Sequence, residues 1–331
     1  MATAEQIKAL LESHVEGDDD RFLSIALQLA AQAARQGHGK LAQELRTLID
    51  KARKSERTGS ASRSPIPLAQ PRGELAGLLT AAYPKARLAD MILAADIREH
   101  LDRVVLEHRQ RDKLASRGLG PRRKLLLVGL PGTGKTYSAR CLAGELHLPL
   151  FTVVLDALIT KFMGETAAKL RLVFESAVRT RGVYLFDEFD ALGGERSNPN
   201  DVGEARRTLN AFLQFIEQDE SDSLLIAATN HVRLLDRALF RRFDDIIEFL
   251  MPDEELALAT MRARLASMIV PSSMNWTAAA KAASGLSYAD IVRACVDAAK
   301  EAVLHDEAEV SARALTKALH RRRKSRQRPS L

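Results

Sequence analysis

The chain has 331 residues, 46% of them hydrophobic and 28% charged, with a net charge of +6 at pH 7. Such a chain is long enough for two or three domains with a sizeable core, and its composition excludes a fibre or a disordered protein. No apolar run approaches the ~20 residues that span a bilayer, so a membrane protein is not expected.

The opening Met1-Ala2-Thr3-Ala4-Glu5-Gln6 lacks the charged-then-apolar order of a signal peptide, and a soluble, cytoplasmic protein is expected. Residues 1–54 read as three short amphipathic helices, with stripes at Ile7, Leu10, Leu11 and Val15, then Phe22, Ile25 and Leu29, then Leu41, Leu45, Leu48 and Ile49. Gly17-Asp18-Asp19-Asp20 and Gln36-Gly37-His38-Gly39 separate them as turn signals. A bundle this small has little core and no catalytic cluster, so its expected use is docking a partner. Residues 55–73, with Ser64-Pro65-Ile66-Pro67, read as a flexible linker.

Residues 74–252 carry an α/β pattern. A helix is expected over 75–83, and Leu88-Ala89-Asp90-Met91-Ile92-Leu93 leads into a longer amphipathic helix over 97–111. Lys124-Leu125-Leu126-Leu127-Val128 is short and apolar enough for a buried parallel strand. Further strands are expected over 150–155, 182–186, 224–228 and 246–250, with helical stretches between them. That alternation gives a parallel sheet covered on both faces, whose ligands bind beyond the carboxyl ends of the strands. After Pro252 the strand signals stop. Helices over 253–266, 276–283, 287–305 and 311–320 form a small all-helical lid domain, 253–320, in which Ser287 and Asp290 resemble a capping box. Cys141 and Cys295 fall in helical patterns without metal-ligand spacing and read as reduced core thiols, so neither a disulfide nor zinc is expected.

The 321–331 tail holds Arg321, Arg322, Arg323, Lys324, Arg326 and Arg328, and these six charges equal the whole net charge of +6. The rest of the chain is balanced. The tail is either a frayed, solubilising end or a contact for phosphates or an acidic partner. Aromatic residues make up only 5% of the chain and no aromatic-basic groove is evident, so a nucleic-acid motor or loader is the least favoured function.

Chemistry concentrates at strand ends. Gly129-Leu130-Pro131-Gly132-Thr133-Gly134-Lys135-Thr136 fits G-x-x-x-x-G-K-[ST] and follows a strand and precedes a helix. In that context the backbone N–H groups of the glycine-rich loop cradle phosphates, Lys135 reaches the β- and γ-phosphates, and the Thr136 hydroxyl ligates Mg²⁺. Gly182-Val183-Tyr184-Leu185-Phe186-Asp187-Glu188 ends a second strand in two carboxylates: Asp187 to hold the Mg²⁺ shell and Glu188 to activate water. An ordinary acidic turn is the alternative. Leu224-Leu225-Ile226-Ala227-Ala228-Thr229-Asn230 ends a third strand in an amide able to bond the γ-phosphate or the attacking water, or simply to make a turn.

With Leu235-Asp236-Arg237-Ala238-Leu239-Phe240-Arg241-Arg242-Phe243-Asp244 these motifs resemble the AAA clade of the AAA+ ATPases, over about residues 88–304. The resemblance implies a P-loop NTPase sheet, preceded by a helical bundle and followed by a helical lid, that hydrolyses ATP with Mg²⁺. It implies a ring, usually a homohexamer, in which Arg241 and Arg242 act as arginine fingers on a neighbour's γ-phosphate. It implies an adenine pocket at Asp90, Met91 and Ile92, and nucleotide contacts from Pro131, Gly132, Thr133, Gly134, Tyr137 and Ala289. Lys161-Phe162-Met163-Gly164-Glu165 resembles the pore loop that grips an extended polypeptide through Phe162, Met163 and Gly164. Gly285-Leu286-Ser287-Tyr288-Ala289-Asp290 resembles the family's G-x-S-G-A-D lid segment, with Tyr288 in place of glycine. The three-helix start is similar to microtubule-interacting-and-trafficking domains, and the layout is similar to small bacterial AAA ATPases found beside a subtilisin-like protease. No H-E-x-x-H occurs, so a zinc protease is not fused to this chain. The leading expectation is ATP-driven remodelling, unfolding or translocation of a protein client. The alternative is a regulatory switch controlling a separate partner such as a serine protease in a toxin-antitoxin or phage-defence module.

Overall fold

The computed structural model describes residues 70–158, 165–192, 199–231, 240–268, 270–271, 274–307 and 309–326, together with Gln43 and Thr47. The chain divides into two units, Met1–Leu68 and Ala69–Leu331, and the second holds one sheet with the helices around it. The expected bundle of 1–54, most of the linker, the gripping residues Phe162, Met163 and Gly164, and the segment 235–239 lie outside the described residues.

In chain order the elements are α1 (Leu75–Leu78), β1 (Leu79–Ala82), a 3-10 turn (Leu88–Asp90), α2 (Ala95–Arg109), α3 (Arg111–Ala115), β2 (Lys124–Gly129), α4 (Lys135–Leu146), β3 (Leu150–Val153), α5 (Leu155–Leu158), α6 (Glu165–Arg179), β4 (Val183–Phe186), a 3-10 turn (Phe189–Leu192), α7 (Pro199–Gln218), β5 (Leu224–Thr229), β6 (Asp245–Phe249), α8 (Glu254–Leu265), α9 (Trp276–Ala283), α10 (Tyr288–Leu304) and α11 (Ala312–Arg326). Among the described residues six strands form one sheet in the order β1-β3-β4-β5-β2-β6. All neighbours are parallel except β1, which runs antiparallel to β3.

β4, β5 and the middle of β2 are apolar because both faces are buried, and the two-residue side-chain period sorts them. Leu126, Val128, Tyr184, Phe186, Leu225 and Ala227 face one core with Leu170, Phe174 and Phe212 from α6 and α7. Leu125, Leu127, Val183, Leu185, Leu224 and Ile226 face the other with Leu101, Val104 and Leu142 from α2 and α4. Each fully buried Leu or Phe contributes about 1.5–3 kcal/mol, well above the tenths that separate helix or strand propensities, so burial decides the pattern.

The helix expected over 75–83 is a correction. Only Leu75–Leu78 is helical, and Leu79–Ala82 pairs with β3 in the register Leu79↔Val153 to Ala82↔Leu150. The pairing is with a strand about 70 residues away, so a local period over four residues does not reveal it.

The helical part has its own core of small residues, Ala279, Ala280, Ala294, Cys295, Ala298 and Ala302, closed by Leu315 and Leu319. Asp253 and Asn275 accept from Leu256 N and Ala278 N, and Ser287 with Asp290 forms the capping box expected from their spacing. Both cysteines are buried free thiols. The last helix runs to Arg326, past the expected end at 320, because Arg322 bonds Asp297 of α10 at 2.5 Å and Lys317 bonds Glu301 at 2.9 Å. Residues 321–326 thus continue α11.

Candidate nucleotide-hydrolysing site

Strand β2 delivers its loop at the carboxyl edge of the sheet, with β5 on one side in the register Val128↔Thr229 and β6 on the other. The loop turns back into α4 through left-handed backbone at Gly132 (φ 79°) and Gly134 (φ 113°), conformations that residues with a Cβ resist. At Gly132 space is also short, since a Cβ there would lie 2.5 Å from Ser287 Oγ. The Thr133 hydroxyl donates to Leu130 O at 2.8 Å and pins the turn. Gly134 caps α4 with no side-chain acceptor, so the first N–H groups of the helix have only the loop and the cleft to serve.

Lys135 is buried and donates to Gly129 O at 2.7 Å, Leu130 O at 3.1 Å and Asn230 Oδ1 at 2.8 Å. Burial pushes its pKa down, and the nearby carboxylates Asp187, Asp190 and Glu188 push it back up. Beside it, Thr136 Oγ1 donates to Asp187 Oδ2 at 2.7 Å. Asp187 in turn accepts from Glu188 N through Oδ1 at 3.1 Å. Glu188 is exposed and holds φ at 54°, a left-handed conformation that an ordinary side chain adopts only when its surroundings impose it. The surroundings here are two fully buried rings. Phe186 and Phe189 bracket the acidic pair and both pack on Phe212, at ring-centroid distances of 4.9 and 5.8 Å. Further along the turn, Asp190 has a buried Oδ1 with no partner among the described residues, and its Oδ2 lies 4.0 Å from His231 Nε2.

These groups share one cleft of about 620 Å³. Asp90, Met91 and Ile92, the run Pro131 to Tyr137, Asp187, Glu188, Asn230 and Ala289 all line it. Every residue expected at the nucleotide from its own subunit is therefore brought together. Arg241 and Arg242 are not. Arg241 is exposed and pairs with no described residue, whereas Arg242 Nε bonds Glu217 Oε2 of α7 at 2.9 Å. The sequence reading missed Thr260, Ala263 and Arg264 of α8 and Val292 of α10, which complete the wall. The i, i+3, i+4 spacing of Thr260, Ala263 and Arg264 marks one face of α8, but that spacing cannot say which cleft the face lines. Tyr288, which stands where the family segment has glycine, also lines it. Burial, then Asp253 and Asp96, pushes its hydroxyl pKa up to about 12.

The donor set fits hard-cation chemistry. A hydroxyl and a carboxylate, Thr136 and Asp187, sit in contact at the mouth of the loop, and Mg²⁺ commonly takes few protein oxygens plus substrate phosphates. A glycine-rich loop between a buried parallel strand and a helix, with paired carboxylates two strands away, defines a P-loop nucleoside triphosphatase.

The comparisons narrow that class. The profile described as ATPase family associated with various cellular activities (AAA) matches residues 125–251. An uncharacterized AAA family ATPase, y4kL, of Sinorhizobium fredii is 36% identical over 320 residues, covering 96% of this chain and 95% of the relative. The proteasome-activating nucleotidase of Methanoregula boonei is 32% identical over 226 residues, 66% of this chain. The ATP-dependent zinc metalloprotease FtsH of Helicobacter pylori is 31% identical over 258 residues, 75% of this chain. The matches span only 52% and 41% of those two proteins. The chain belongs to the AAA ATPase family. It binds and hydrolyses ATP, and among the described residues no helix is long and apolar enough to cross a membrane.

Proposed function

We propose that this ATPase works in the cytoplasm as a homohexameric ring that uses hydrolysis to remodel, unfold or translocate a protein client. The observation that carries the reading is Arg241: it stands exposed, unpaired among the described residues and outside the cleft that holds the other candidate catalytic groups. A guanidinium so placed serves a neighbouring copy's γ-phosphate better than its own, and a finger supplied in trans accelerates phosphoryl transfer by about 10³–10⁵. Arg242 shares the assignment but must first leave Glu217.

In this reading the loop N–H groups and Lys135 hold the phosphates, while Asp90, Met91, Ile92, Tyr137 and Ala289 enclose the nucleoside. Thr136 and Asp187 hold Mg²⁺, which when bound neutralises phosphate charge. Glu188 accepts a proton from the attacking water as its oxygen bonds to the γ-phosphorus and the bond to the bridging oxygen breaks, giving ADP and phosphate. Asn230 orients that water or the γ-phosphate.

Mixing tests the shared site. Arg241→Ala and Glu188→Gln should each be inactive alone and recover partial ATPase activity together, since the first retains Glu188 and the second supplies Arg241. Absence of recovery, or specific activity independent of protein concentration, would refute a site completed between copies.

The names of two relatives, a proteasome-activating nucleotidase and a metalloprotease, support a client destined for proteolysis and a protease as partner. Phe162, Met163 and Gly164 are proposed to grip the client. Phe162→Ala should then retain ATPase activity and lose client processing, and a pull-down with Glu188→Gln should recover client and partner.

A further inference from the structure

We propose that Tyr288 closes the cleft on the nucleoside of bound ATP or ADP, making it the residue through which the helical part sets the rate of nucleotide release. The proposal deepens the assignment of this cleft to ATP and rests on it.

Tyr288 is the first residue of α10 and stands between two residues that press on the phosphate loop. On one side, a Cβ added to Gly132 would meet Ser287 Oγ at 2.5 Å; on the other, Ala289 N donates to Gly132 O at 3.1 Å, and the same Cβ would lie 3.1 Å from Ala289 Cβ. The backbone of this turn is fixed by the reciprocal cap, in which Asp290 N donates to Ser287 Oγ at 3.2 Å and Ser287 N donates to Asp290 Oδ2 at 3.3 Å. The backbone at Tyr288 is therefore tied, through Ser287 and Ala289, to the loop that carries Lys135.

The side chain is half-buried and lines the cleft from the helical side with Thr260, Ala263, Arg264, Ala289 and Val292, among which it is the one ring. Asp90, Met91 and Ile92 line it from the sheet side. An aromatic ring supplies the largest rigid apolar surface of that wall, suited to a purine face or ribose and not to phosphate. Its hydroxyl stays neutral through the physiological range, so no phenolate opposes the phosphates. The two charges that act on it are Asp253, the cap of α8, and Asp96, in the first turn of α2. The ring thus sits where the sheet body and the helical part meet.

The test is stopped-flow release of a fluorescent ADP analogue, read beside KM and kcat for ATP. For Tyr288→Ala, release about tenfold faster and a KM about tenfold higher are expected, as the loss of one ring contact implies. Single-turnover hydrolysis of bound ATP should stay within about twofold, because the ring touches no reacting atom. Tyr288→Phe should match the parent. Parental release from Tyr288→Ala would overturn the proposal, and so would a Tyr288→Phe that behaves like Tyr288→Ala. If Tyr288→Ala does not fold, Tyr288→Leu replaces it, with faster release expected and parental release again overturning. A parent chain that binds no ADP analogue would refute the cleft assignment itself, an outcome separate from any of these.

Discussion

The Lys135 ammonium donates to the side-chain carbonyl of Asn230 at 2.8 Å, joining the first residue of α4 to the residue that follows β5. An ammonium only donates, so the amide must present its oxygen to Lys135; its nitrogen donates to no described residue. Two changes separate these roles. Asn230→Ala should keep ATP affinity within about threefold and lower kcat by about 10²-fold, the usual size of one lost transition-state donor. Asn230→Asp should weaken ATP binding by about tenfold or more, since it adds a negative charge beside Lys135 where the phosphates must lie. Titration with a fluorescent ATP analogue decides between them; unchanged affinity in Asn230→Asp would count against Lys135 as the phosphate ligand.

Glu188 holds a left-handed backbone that glycine adopts freely. Glu188→Gly should therefore be more stable than the parent by about 1 kcal/mol and catalytically dead. Glu188→Gln should bind ATP without turnover and gain no such stability. Thermal melts with and without nucleotide check both, and a Glu188→Gly less stable than the parent would show that its side chain holds the turn.

Gly132→Ala should damage the site twice over, since its φ of 79° disfavours a side chain and its Cβ would meet Ser287 Oγ. A loss of about 1–3 kcal/mol in stability is expected together with a large rise in KM for ATP. Parental KM would mean that α10 and the loop readily move apart.

His108 gives the stability a pH dependence. Its Nε2–H donates to Arg122 O at 2.7 Å, while Nδ1 is buried with no partner among the described residues, and burial is the main cause pushing its pKa below 6.5. Protonation is thus easier in the unfolded chain, so stability is full above about pH 6.5 and falls as pH drops through the folded pKa. Melting temperature should decline between pH 7.5 and 5.5, with a shallower slope in His108→Gln. Equal slopes would remove His108 as the source.

The sequence by itself placed the candidate catalytic residues at the ends of their strands. Loop, acidic pair and terminal amide each follow an apolar run long enough to be recognised, and phosphate chemistry permits few residue types at those spacings. It also located α8 to α10 and the start of α11 closely, because caps such as Ser287 with Asp290 are local in the chain. Only the tertiary structure decided what depends on distant pairing. β1 exists because β3 offers it an edge, and the helix through Arg326 persists because Asp297 lies within reach of Arg322. The helical wall of the cleft formed by Thr260, Arg264 and Tyr288 is of the same kind. A period along the chain reports which side chains share a face, while the partner of that face is set by packing between segments far apart in sequence.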